Sequence, residues 1–95
     1  MTKKELMRII EKADKYDMEL EGEKHYDEIF KPVYDALTSN DESVIQFLCD
    51  CTIDEQDKVF TSIRCAVLDK KANKKVEELY INLCKECGCP TYINN

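Results

Sequence analysis

Apolar residues return every three or four positions along nearly the whole chain, and the residues that would interrupt such a rhythm are scarce, with two glycines and two prolines among 95 residues. A many-stranded β protein needs turn punctuation every few positions. The chain therefore reads as all-α, a compact bundle of about five helices forming one domain over residues 1–95. Apolar residues make up 43% and charged residues 36%, which suits a packed interior under a heavily solvated surface and argues against disorder.

Helix boundaries follow from caps and stripes. Thr2 and Glu5 have the spacing of a capping box, and Leu6, Ile9, Ile10, Ala13, Tyr16 and Leu20 share one face, so a first helix is expected over residues 3–20, ended by Gly22. Tyr26, Ile29, Phe30, Val33 and Leu37 continue the spacing. Pro32 lacks an amide hydrogen, so it must sit in a first turn or kink this helix. Ser39 with Glu42 predicts a short helix carrying Val44, Ile45, Phe47 and Leu48. Thr52 with Glu55 predicts a long one carrying Val59, Phe60, Ile63, Ala66 and Val67. Asn73 should cap the last helix, whose buried stripe is Val76, Leu79, Tyr80 and Leu83 and whose stop signal is Gly88 with Pro90. Connections this short make successive helices antiparallel, hence a bundle or two stacked hairpins. A shift of 35 residues superimposes Val33 on Leu68, Leu48 on Leu83 and Cys49 on Cys84, as a repeated hairpin would.

Charge is unevenly placed. The net charge is −6, yet residues 35–57 hold seven acids, Asp35, Asp41, Glu42, Asp50, Asp54, Glu55 and Asp57, and no lysine or arginine. Residues 14–28 add a net −5, whereas residues 58–87 reverse the sign to +3. Asp41, Glu42, Asp54 and Glu55 fall in first turns, where an acid complements the helix dipole by about 0.3–1 kcal/mol. Asp50, near a helix end, gains nothing from the dipole, and neither Asp35 nor Asp57 is needed for capping. Such a surface repels nucleic acid and attracts a basic protein, with fast, salt-sensitive encounter. Tyr16, Tyr26 and Tyr34, half exposed beside the acids, would suit an interface as well as a core.

The opening residues, Met1 to Glu5, lead into an amphipathic pattern rather than an export signal, and no apolar run approaches the roughly 20 residues of a membrane span. The expected setting is the reducing cytoplasm, where the six cysteines are thiols or metal ligands rather than disulfides. Cys84-Lys85-Glu86-Cys87-Gly88 resembles one knuckle of a zinc ribbon, and Cys49 and Cys51 with Cys84 and Cys87 would complete a tetrahedral thiolate set. Against this, C-x-C is not the usual partner knuckle, and free cysteine packs well as a small apolar residue, a role that also fits Cys65.

His25, the single histidine, lies in the acidic stretch before the second helix, and no triad, phosphate loop or paired metal-binding histidines accompany it. No cofactor and no catalysis are expected. The residues point to a protein that works by contact: a small acidic inhibitor, of the immunity-protein or antitoxin kind, covering the basic active site of a toxin or nuclease. A phage-encoded anti-defence inhibitor of another basic nuclease would present the same surface, and a zinc-stabilised helical adaptor is the alternative from a different class.

Overall fold

The computed structural model describes residues 1–15 and 22–88, and among these every regular element is helical. In chain order they are α1 (Lys3–Ala13), α2 (Gly22–His25), a π-helical turn (Tyr26–Phe30), α3 (Lys31–Thr38), α4 (Glu42–Asp50), α5 (Ile53–Lys58), α6 (Phe60–Leu68) and α7 (Lys74–Cys87). The radius of gyration, 12.4 Å, matches the roughly 12 Å of a close-packed domain of this length.

Thr2 caps α1 as its spacing predicts, its hydroxyl accepting the Glu5 amide hydrogen at 3.2 Å. The helix stops at Ala13 rather than running to residue 20, and the expected positions of Tyr16 and Leu20 lie outside the described residues. Gly22 opens the next helix instead of closing the first. From Gly22 to Thr38 the backbone stays helical without interruption, and Pro32 sits in the first turn of α3, one of the two placements expected for it. The turn before it widens: the Lys31 amide donates to the carbonyl of Tyr26, five residues back. A proline inside a helix has no hydrogen for the carbonyl four residues earlier and crowds it, and a π turn relieves that crowding.

Ser39 is not the cap of α4. It closes α3, its hydroxyl donating to the Ala36 carbonyl at 3.2 Å, while Asp41 caps α4 by accepting the Val44 amide hydrogen. Asn40, between them, adopts φ 59°, which lets the chain reverse before the new helix begins. Thr52 and Glu55 form the predicted reciprocal capping box. The helix they start is divided, however, at Val59 (φ −116°, ψ 23°), where the amide reaches back three residues to Gln56 before α6 begins at Phe60. Asn73 caps α7, and Gly88, at φ 71°, ends it in the left-handed conformation anticipated for that glycine; Pro90 lies outside the described residues.

The hairpins α3–α4 and α6–α7 are built alike. Each first helix ends with an amide bonded to a carbonyl five residues earlier, Asp41 to Ala36 at 3.0 Å and Lys71 to Ala66 at 3.2 Å, over a left-handed residue, Asn40 or Lys70. Each second helix is capped by a side-chain oxygen, Asp41 serving Val44 and Asn73 serving Val76. Phe30, Val33, Ala36 and Leu37 correspond to Phe60, Ile63, Ala66 and Val67, a register of 30 residues that becomes 32 at the second cap because the later turn is longer. The 35-residue alignment is thus incorrect, and with it the pairing of Cys49 with Cys84.

Helix α3 packs on α6 with the two chains running the same way, since the Ser62 hydroxyl donates to the Phe30 carbonyl at 3.0 Å and the Tyr34 hydroxyl to Asp69 at 2.7 Å. Leu6, Val33, Leu37, Ile45, Leu48, Ile63, Val76, Tyr80 and Leu83 are wholly buried and form one contiguous core. Burying a side chain of this kind is worth about 1.5–3 kcal/mol. Phe60, expected to point inward, is half-buried and packs its ring 5.9 Å from that of Tyr80.

Candidate functional site

The seven acids of residues 35–57 divide into three groups. Asp41, Glu42 and Glu55 are committed to the fold. Asp41 holds the start of α4 and lies 3.4 Å from the amino group of Met1, Glu42 pairs with Lys75 at 3.7 Å, and Glu55 accepts the Thr52 amide hydrogen at 3.0 Å. Glu42 nonetheless keeps about two thirds of its side chain exposed, at 67%.

Asp35 is exposed on α3, next to Tyr34, at the end of the molecule where α3 gives way to α4. Asp50 closes the far end of α4, and a helix of nine residues separates its ends by about 12 Å. The structure therefore does not bring Asp35 together with Asp50 and Asp57.

It does gather Asp50, Asp54 and Asp57, all exposed, around the corner where α4 turns into α5. Asp50 accepts a hydrogen bond from the Gln46 amide at 3.3 Å, one turn earlier on the same helix. Asp57 lies beside the Cys87 thiol at the end of α7, with 3.9 Å between sulfur and oxygen. Lys58 is a base at this corner. Its ammonium bonds to Asp14, which raises its pKa, and the nearby charges of Asp54 and Asp57 add to the effect. Asp14, at the end of α1, thus joins the corner, a placement no local pattern in the sequence signals.

A buried residue sets the angle of the corner. Gln56 is 3% exposed, and its side-chain amide donates to the Leu48 carbonyl at 2.8 Å and the Cys51 carbonyl at 3.3 Å. These carbonyls belong to the last turn of α4, where four acceptors have no partner within the helix. Gln56 satisfies two acceptors and ties α5 to α4. Its amphipathic position among charged residues gives no hint of burial in the sequence.

The thiols do not form the proposed ligand set. Cys84 is buried in the core, Cys49 and Cys87 are exposed, and Cys51 is partly buried. Among the described residues no three of His, Cys, Asp and Glu converge as metal ligands. Burial pushes the pKa of both Cys49 and Cys51 upward, with Asp50 adding to it at each and Glu55 at Cys51, so neither is an activated thiolate.

Tyr34 is held by its hydrogen bond to Asp69, which stabilises the phenol and pushes its pKa up to about 12. His25 is half-buried in α2 rather than exposed in a linker. None of the described helices is long and apolar enough to cross a membrane. Comparison with protein-family models, with curated proteins and with solved structures finds no match.

Proposed function

We propose that this protein acts by contact, as a small acidic inhibitor of the immunity-protein or antitoxin kind that covers a basic site on a toxin or nuclease. The observation that carries the proposal is the α4–α5 corner, where Asp50, Asp54 and Asp57 are exposed in a stretch of chain with no base between Asp35 and Asp57. Helix capping accounts for Asp41 and Glu55, and an ion pair for Glu42. Capping accounts for neither Asp50 nor Asp57, and an acid at a helix end opposes the dipole. Charge that the fold does not use is available to a partner. A basic protein would be steered toward this corner at a rate that falls as salt rises.

The test is the triple reversal Asp50→Lys, Asp54→Lys and Asp57→Lys. Binding to the partner captured at low salt should weaken by about 2–5 kcal/mol, while far-UV circular dichroism stays unchanged. Asp35→Lys, at the other end of α4, should change affinity by less than about 1 kcal/mol. Affinity that survives the triple reversal in a folded protein would refute the proposal.

A further inference from the structure

A second feature stands apart from the acidic corner and does not depend on the inhibitor reading. Tyr26, Phe30 and Tyr34 stack along one face of the helix, with ring centres 5.4 and 5.5 Å apart and ring planes within 18°. They stand four residues apart, so each ring lies over the next turn. The position that would extend the column beyond Tyr26 is residue 22, which is glycine, and a Cβ atom added there would meet nothing within 4 Å among the described residues. Among the described residues, that rung of the column is empty. A cavity of about 240 Å³ lies at this place, lined by Gly22, His25, Tyr26, Phe30 and Thr61.

Three properties define what would fit. The outer ring, Tyr26, is 54% exposed and offers its face to a flat group. The volume exceeds the roughly 150 Å³ that admits benzene into a protein cavity, leaving room for one ring with a substituent. Among the described residues next to the cavity, Glu23, Asp27 and Glu28 outnumber the base Lys24, so an anion is disfavoured. A cation set against a tyrosine face gains from the negative face of the ring. The π turn begins at Tyr26 and ends at Phe30, two of the residues that line the cavity, and such turns recur at functional sites.

We infer that the cavity at the vacant rung is a binding site for a small planar aromatic cation, which would stack on Tyr26 as the fourth ring of the column. The full chain can be titrated with benzamidinium while the ring protons of Tyr26 and Phe30 are followed by NMR. The Tyr26 signals should move upfield with half-saturation at roughly 1–10 mM, the range for a fragment of this size. Benzoate, flat but anionic, and cyclohexylammonium, cationic but not flat, should each bind at least tenfold more weakly.

Gly22→Phe places the chain's own ring on the empty rung and should weaken benzamidinium at least tenfold, as should Tyr26→Ala. Both positions are exposed, and far-UV circular dichroism verifies that the variants keep their helices. No shift with benzamidinium, equal shifts with either control, or undiminished binding in a folded variant would each overturn the inference.

Discussion

The two hairpins share a turn, a cap and a core, but their surfaces carry opposite charge. At the matching position of the turn, α3–α4 has Asp41 where α6–α7 has Lys71. Residues 35–57 carry no base at all, whereas Lys70, Lys71, Lys74 and Lys75 cluster where the second hairpin turns. The matching apolar residues, Val33 with Ile63 and Leu37 with Val67, are buried in both. Architecture here is set by the inward stripe and the turn, so the outward charge was free to vary. An imbalance the fold does not require is therefore the feature from which to argue function.

That equivalence can be broken at its centre. Leu37→Ala and Ile63→Ala each empty a fully buried site between the stacked first helices, and each should cost about 2–5 kcal/mol in urea denaturation. Because α3 and α6 pack on each other, the double variant should depart from additivity. A cost below about 1 kcal/mol at either site would mean that the hairpins are not interlocked as described.

The caps allow a finer comparison. Asp41→Ala and Asn73→Ala should each lose about 0.5–2 kcal/mol. Asp41 should lose more, since its carboxylate also meets the Met1 amino group. Equal losses would show that the amino group contributes nothing.

At the left-handed turn residues the expected sign reverses. Lys70 at φ 58° bears a strain that Asn40 at φ 59° tolerates better. Lys70→Gly should stabilise the protein by up to about 1 kcal/mol, and Asn40→Gly by less. If Asn40→Gly proves the more stabilising, the two turns differ in a way their dihedral angles conceal.

The smallest effect is spectroscopic. Tyr34 pairs with Asp69 across the two hairpins and holds its proton to about pH 12. A raised folded pKa contributes stability that is complete below the ordinary tyrosine value near 10; it is lost as pH rises through 12. Ultraviolet titration should show a late-ionising tyrosine component that Asp69→Asn moves to lower pH.

Much of this was legible from spacing alone. The stripes Leu6, Ile9 and Ile10, then Val44, Ile45 and Leu48, then Val76, Leu79, Tyr80 and Leu83 are buried as their periodicity predicts, because a helix in water must cover its apolar face. What escaped was decided by geometry that periodicity does not encode. The apolar rhythm passes through Val59 unbroken, so nothing announces the division there. Ser39 and Asp41 are both good caps, and the choice between them depended on where the left-handed Asn40 reversed the chain. Of the acids, sequence marked Asp35, Asp50 and Asp57 as uncommitted to capping, and the structure leaves all three exposed. Sequence grouped Asp35 with the other two only because linear proximity says nothing about the two ends of α4.

Gln56 has one more consequence. By bonding at once to the Leu48 and Cys51 carbonyls it fixes the angle between α4 and α5 in the unbound protein. The backbone under the three carboxylates then has little freedom left to lose on association, and such preorganisation favours affinity. A substitution that loosens this joint without unfolding the chain would act at a distance from the charges, shortening the lifetime of a complex while leaving its electrostatic attraction in place.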